Sequence, residues 1–317
     1  MQLIGDGTAI RAAARLLEKA GLAYGWTPGK RPPLPVILLG EAAMELMGGA
    51  LGLEALREGM YAVKERRVRW GGETLRLPHR AWVTSETELL GRLGVPHSMG
   101  SAQGPRLLAA GIEEGGTREI AAGARRAELV RVKYREAHEV VATEAVDEGW
   151  LFTLPTESGA GWLIGVGGAV ETLLGQSQLV GPMIEAREGE TLRFESAPRL
   201  RWPLWGEDWL ACGSAAARFD PICGDGTAFA VREAILAAAV LREGFSGEAR
   251  MHYAARLLAA FAKHLALARQ YYADGPPTDW WRAQVADTEK ALRWCEAELA
   301  ALPAPRFRLV GEELVAI

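Results

Sequence analysis

Asp220-Pro221-Ile222-Cys223-Gly224-Asp225-Gly226-Thr227 is the stretch of the chain best suited to hold a ligand. Asp-Pro sets a turn, and the two glycines let backbone approach a bound group closely. Thr227 is placed to cap the helical run that follows, so the helix N-terminus points at whatever lies in the turn. A second candidate stands at the other end of the chain. Gly5 and Gly7 fall between a short apolar run, Gln2-Leu3-Ile4, and a helical pattern with Ile10, Ala13, Ala14, Leu17 and Ala20 on one face. Thr8 and Ala9 open that helix. A glycine turn between strand and helix aims N–H groups and the positive end of a helix dipole at a diphosphate. Ile10 stands where a dinucleotide fingerprint has its third glycine, and Tyr24-Gly-Trp-Thr-Pro28 carries no carboxylate for a ribose. Asp6 reads as a turn residue.

These two segments need elements around them. The 317 residues suffice for one large or two ordinary domains with a sizeable core. Pro28 to Pro35 reads as a loop, with four prolines and Gly29. Helical patterns cover Glu41–Leu53 and Leu56–Val63, with Gly48-Gly49 and Gly52 as breaks. Val68–Leu77 predicts a hairpin turning at Gly71-Gly72. Ser85 and Glu88 form a capping box for a helix to Leu93. Gly94 to Gly123 is glycine-rich and yields no assignment. Alternation over Glu128–Glu144, Trp150–Leu154, Gly161–Val166 and Glu190–Glu195 predicts an antiparallel sheet, with a helix over Ala169–Leu179. Trp209–Cys212 reads as a short buried strand. Helices are expected over Ala228–Glu243, Gly247–Ala273 and Trp280–Leu302, with Gly275-Pro276-Pro277 as a stop, and Arg306–Val315 as a closing strand.

Composition excludes several classes. A net charge of −4 leaves no basic excess for a nucleic-acid backbone. No apolar run reaches the roughly 18–20 residues that span a bilayer, and the chain opens on a strand pattern with no leader. Three cysteines, Cys212, Cys223 and Cys295, include no CxxC and suggest neither a disulfide framework nor a zinc site, so a reducing cytoplasm is the simplest compartment. None of the five histidines lies at metal-ligand spacing from another. The 11 tryptophans mostly suit packing, with a flat aromatic ligand as the alternative use.

Taken in order, the pieces resemble the flavin-dependent monooxygenase and tryptophan-halogenase-like superfamily. Gly5 and Gly7 match its opening turn, and Gly40-Glu41 a Gly-Glu pair after the second strand. Arg80 matches an Arg that opens a downstream helix. Gly149-Trp150-Leu-Phe152-Thr-Leu-Pro155 resembles the Gly-Trp-x-Trp-x-Ile-Pro segment. Gly213-Ser214 with Asp220-Pro221, Gly224, Asp225, Gly226 and Thr227 matches the Gly-Asp…Asp-Pro-x-x-Gly-x-Gly element. The resemblance implies an α/β fold with a Rossmann-like βαβ core, an antiparallel substrate-side sheet and a helical C-terminal region. It implies a discontinuous FAD domain (1–95 and 200–245), a sheet domain (125–199) and helices over 246–317. It implies FAD, a small-molecule or peptide substrate, O₂-dependent oxidation of an electron-rich group, and a flavin reductase as electron source.

Departures set a second expectation. Ser214 replaces the Asp that holds the ribityl chain, and the stretch between Leu93 and Trp150 is short. Phe152 replaces a Trp, and Ala62 aligns with the halogenase lysine, with Lys64 out of register. Each lost polar contact weakens cofactor binding by about 1–3 kcal/mol. A paralogue with weak or no FAD binding, serving as a binding or maturation partner, is therefore the alternative to an enzyme. A reductase acting on a lipid or isoprenoid is the third reading.

Overall fold

A computed structural model describes residues 1–97, 103–110 and 116–317. The fold is mixed α/β. A four-stranded parallel sheet is ordered Trp209–Ala211, Arg106–Leu108, Gln2–Ile4, Gly25–Thr27. The leading strand is thus one strand removed from Trp209–Ala211, remote in sequence. Helices Thr8–Lys19, Glu41–Leu51 and Gly226–Arg242 pack together beside this sheet. Their alanine-rich faces, Ala12, Ala13, Ala234, Ala237 and Ala238 among them, are buried, and small side chains let the helices approach closely.

The second layer is an eight-stranded sheet. Its strands run in the order Ile184–Glu195, Arg126–Tyr134, Ala160–Gly167, Gly149–Glu157, Val140–Val146, Tyr61–Arg69, Thr74–Thr84, Ile37–Gly40. All pairings are antiparallel except that of Tyr61–Arg69 with Val140–Val146. Three strands therefore come from residues 37–84. Gly149 to Pro155 is buried on both faces. One face packs on Tyr272 and Trp281 of the C-terminal helices, the other on Val170, Leu173 and Val180. The C-terminal helices are Gly247–Ala273 and Asp279–Ala301. No helix among the described residues is long and apolar enough to cross a membrane.

Most element assignments made from the sequence recur, and four are corrected. Glu128–Glu144 is two strands, Arg126–Tyr134 and Val140–Val146, rather than one run. Leu56–Val63 is not helical. Turns precede Tyr61–Arg69, whose pairing with Thr74–Thr84 and Val140–Val146 overrides local helix propensity. Glu41–Leu51 runs through Gly48-Gly49 and ends at Gly52, which takes the left-handed conformation at φ +63°. Arg306–Val315 is a hairpin of two strands, Phe307–Val310 and Glu313–Ala316. In the unassigned glycine-rich stretch, Arg106–Leu108 and Arg118–Ala121 are strands. The Ser85 cap forms as expected, accepting from Glu88 N–H at 3.1 Å. Glu88 itself takes the Thr84 hydroxyl proton rather than closing the box.

Candidate functional site

The carboxyl ends of the parallel strands meet at one place, where open α/β sheets bind ligands. Gly5 leaves the first strand with φ +119°, and a Cβ there would lie 3.0 Å from Ala109 Cβ. Gly213 leaves the Trp209–Ala211 strand side with φ +57°, and its Cβ would lie 3.1 Å from Ala9 Cβ. Both positions need glycine for conformation and for close approach. Gly7, at φ +142°, caps helix Thr8–Lys19 without a side-chain bond, so the first N–H groups of that helix have no side-chain cap. Asp6 does not leave bare charge in the bend. Its carboxylate accepts Arg11 Nε at 2.8 Å, Arg11 Nη2 at 3.1 Å and Gly7 N–H at 2.9 Å. The hydrogen bond from Arg11 holds its carboxyl below the usual range. The proline loop folds over the bend, with Gly29 backbone against Gly5 and Asp6. Arg31 from this loop pairs with Glu86 beside Gly7.

The Asp-Pro turn is held from inside. Arg125 and Asp220 form an ion pair at 2.9 Å with side chains 1% and 0% exposed. Tyr272 donates its hydroxyl to Asp220 Oδ2 at 2.7 Å, and Ile222 N–H donates to Oδ1 at 3.1 Å. Asp220 N–H donates to His264 Nε2 at 2.8 Å. Burial lowers the His264 pKa to about 4, which keeps that nitrogen an acceptor. Gln284 accepts from Arg125 at 2.8 Å. The carboxylate that sequence reading offers to a cofactor thus fixes the turn itself. Gly224 sits at φ +69° in this turn. Helix Gly226–Arg242 begins with Asp225 as N-cap and no side-chain cap; Thr227 lies within the helix and does not cap it.

Both turns line one cleft of about 350 Å³. Of the residues picked out from the sequence, Gly7, Thr8, Ala9, Gly213 and Ser214 contribute to it from one side. Asp220, Pro221, Gly224, Gly226 and Thr227 contribute from the other. Gly5 supports the cleft through Ala109, which lines it. Gly40, Glu41, Arg80 and Asp225 are not part of its lining. Arg80 opens no helix, as its expected role required, but lies within strand Thr74–Thr84; its side chain is 67% exposed and pairs with Glu41 at 3.0 Å.

Sequence reading missed Glu233. It is 4% exposed, lines the cleft from the second turn of the helix, and accepts Gly213 N–H at 2.8 Å. Its other oxygen is buried without a partner. Burial pushes its carboxyl up to about 8, with the Gly213 N–H pulling the other way. A glutamate inside an alanine-rich helical run was the available signal.

Beyond the Pro221–Gly224 turn lies a second chamber of about 520 Å³. Phe152, Pro221 and Gly224 line both spaces. Hairpin residues Arg66, Val68, Trp70, Leu75 and Leu77 form one wall, alternating along each strand. Trp150 and Tyr271 complete the aromatic lining. Trp70 stands edge-on to Trp281 at 5.3 Å and to Tyr271 at 6.5 Å, which fixes the ring orientations. Lys64 lines neither space; it is 72% exposed and pairs with Glu139.

No protein-family model and no curated protein matches the chain. Solved structures do. The peptidyl tryptophan dihydroxylase QhpG, essential for tryptophylquinone cofactor biogenesis, aligns with TM-score 0.73 at 20% identity over 89% of this chain and 77% of its own. The flavin-dependent halogenase CmlS aligns with TM-score 0.74 at 14% identity over 98% of this chain and 74% of its own. The myxobacterial chondrochloren halogenase CndH, described as a variant of FAD-dependent halogenases, aligns with TM-score 0.74 at 15% identity, over 95% and 89%. The chain has the α/β fold of the halogenase-like FAD-dependent enzymes, the group whose motifs its sequence resembles.

Proposed function

We propose that the chain is a flavin-dependent oxidoreductase that holds FAD in the cleft and oxidises an aromatic group in the adjoining chamber. One observation carries this reading: two glycine turns from distant parts of the sequence, each opening a helix, line a single cleft. The residues fit the group. Two helix N-termini without side-chain caps favour a diphosphate. Gly226 has open space where a Cβ would project, so a flat ring can lie against backbone there. Bound FAD would supply two-electron redox chemistry and reaction with O₂. Gly7, Thr8 and Gly213 would hold the diphosphate side, and Pro221, Gly224 and Gly226 the ring side. The Arg125–Asp220 pair keeps the partition between cleft and chamber rigid, and the aromatic chamber excludes water from the reacting group. No buried acid or base faces the chamber from the turn, so the protein's part is placement.

The substrate is an aromatic small molecule or a protein-borne side chain; the second is supported by the fold shared with a peptidyl tryptophan dihydroxylase. Lys64, paired with Glu139 away from both spaces, favours oxygenation over halogenation. A flavin reductase as electron source and a cytoplasmic location belong to the same reading. The discontinuous FAD domain of 1–95 and 200–245 is part of it too, with the sheet over 125–199 and the helices over 246–317 as its substrate-side partners. Purified protein should show the visible absorbance of a flavin or acquire it on titration with FAD. Colourless protein that takes up no added FAD would overturn the proposal. Ser214 at the ribityl position and Thr27 at the end of the second strand favour the alternative in that event, a cofactor-poor binding or maturation partner.

A further inference from the structure

The chamber beyond the Pro221–Gly224 turn is mostly aromatic and apolar; Thr143 and the exposed Asp274 also line it, and Arg66 is its one cation. Arg66 of strand Tyr61–Arg69 lines it, with its guanidinium carbon over the Phe152 ring at 5.9 Å from the ring's centre. Nearly every other arginine on this hairpin has a carboxylate partner or lies exposed: Arg67 pairs with Glu65, Arg69 with Glu144, Arg80 with Glu41. Among the described residues, no hydrogen bond or ion pair engages the Arg66 guanidinium, and its Nε is buried and unsatisfied. Desolvation lowers its pKa, so the protein gives this charge less compensation than water would. Asp225 acts on it only at a distance, without pairing. Burial, and after it the Arg66 charge, lowers the pKa of the nearby His79. A half-buried cation whose Nε is buried and unmet, inside a space within the usual size range for small-molecule sites, is suited to receive an anion.

We propose that the chamber takes an aromatic group that carries a carboxylate, with Arg66 receiving the carboxylate and Trp70, Trp150 and Phe152 enclosing the ring. This rests on the reading of the chamber as the substrate site, and it names the class of substrate. The planar fork of a guanidinium suits the two oxygens of a carboxylate, whereas a neutral amide of equal shape offers one acceptor oxygen and no charge. The aromatic walls then select for a ring rather than an aliphatic acid. The carboxylate sits either on a free small molecule or on an acidic side chain beside a tryptophan in a peptide, and the test separates the two.

Calorimetric titration of the full chain with indole-3-acetate and with indole-3-acetamide reads the preference directly. Capped Asp-Trp-Gly and Asn-Trp-Gly peptides form the second pair of probes. The acid should bind about tenfold to a hundredfold more tightly than its neutral partner in at least one pair. Preference in the first pair alone assigns a small molecule; preference in the peptide pair assigns a polypeptide. Arg66→Gln should erase the preference, Arg66→Lys should keep part of it, and FAD uptake measured by absorbance should stay unchanged in both. Equal binding of acid and amide, binding of neither, or a preference that survives Arg66→Gln overturns the proposal. Because FAD uptake is read separately, a protein that binds flavin but shows no acid preference refutes this inference alone. A protein that shows the preference without flavin refutes only the reading of the cleft.

Discussion

The two spaces on either side of the Pro221–Gly224 turn handle charge in opposite ways. In the cleft proposed for FAD every arginine near the leading bend is spent on a protein carboxylate: Arg11 on Asp6, Arg31 on Glu86. What the cleft offers is backbone: glycines in open conformations and two helix starts with no side-chain cap. The chamber offers the reverse. The backbone of its hairpin wall is tied up in sheet pairing, and its one guanidinium is left without a partner. A cofactor that every copy of the protein binds in the same way can be held by fixed N–H groups. A substrate that must be selected calls for a side chain that only the right molecule satisfies.

The partition between the two spaces tests that contrast most severely. Asp220→Ala should cost about 3–5 kcal/mol of stability, because it leaves Arg125 charged, buried and without its counter-ion. Tyr272 and Ile222 lose an acceptor at the same time. Both cavities should fail together. Urea unfolding checks the stability, and a loss under 1 kcal/mol would show that the turn does not depend on this pair.

Gly226→Val should separate the two spaces. A Cβ there meets nothing within 4 Å, so the fold should tolerate the side chain, yet it projects into the cleft. We expect FAD affinity to fall at least about a hundredfold, with the melting temperature little changed. Gly5→Val would not make this distinction, since φ +119° and the contact with Ala109 make it a folding defect first. Unchanged flavin affinity in Gly226→Val would place the ring elsewhere.

How far the sequence disclosed this arrangement follows from the range of the forces involved. The Gly5-Asp6-Gly7 bend and the Asp220–Gly226 turn were legible because glycine and proline act through local backbone geometry. So was the Val68–Leu77 hairpin, which carries Val68, Trp70, Leu75 and Leu77 of the chamber wall but stops short of Arg66. Leu56–Val63 misled because its local pattern suits a helix, while antiparallel pairing of residues 61–63 with residues 81–83 draws its end into the sheet. Arg106–Leu108 is three residues long and takes its identity wholly from its neighbours. The inward role of Asp220 was invisible because its partner, Arg125, lies 95 residues away and gives no local signal. Buried electrostatics is set by what the fold encloses, and spacing along the chain carries little of it.

Within the cleft alone, Ser214→Asp should sharpen the contrast by adding one side-chain contact to a site held by backbone. Ser214 is exposed to the cleft, so the carboxylate has room. An added charged hydrogen bond to a ribityl hydroxyl should tighten FAD by about tenfold in a fluorescence titration. No gain would mean that the ribityl chain does not run past Ser214.

Glu233 gives the finest comparison, because it places a carboxyl in the lining of the cleft proposed for an anionic cofactor. Burial raises its pKa to about 8 in the folded chain, above the ordinary carboxyl value of 4.5. The folded state therefore prefers the neutral acid. Its contribution to stability is whole below about pH 4.5 and is lost progressively as pH rises toward 8. An anionic cofactor in the same cleft should hold that proton on more firmly, since ionising Glu233 would set like charges together. FAD binding should accordingly weaken severalfold between pH 7 and pH 9. Glu233→Gln keeps an oxygen to accept Gly213 N–H at its 2.8 Å contact but cannot ionise. Its flavin affinity should stay flat over the same range, and its melting temperature should gain on the parent protein as pH rises from 5 to 9. Parallel pH profiles for the two proteins would show that the charge of Glu233 is not felt by the cofactor, and that the cleft discriminates by backbone geometry alone.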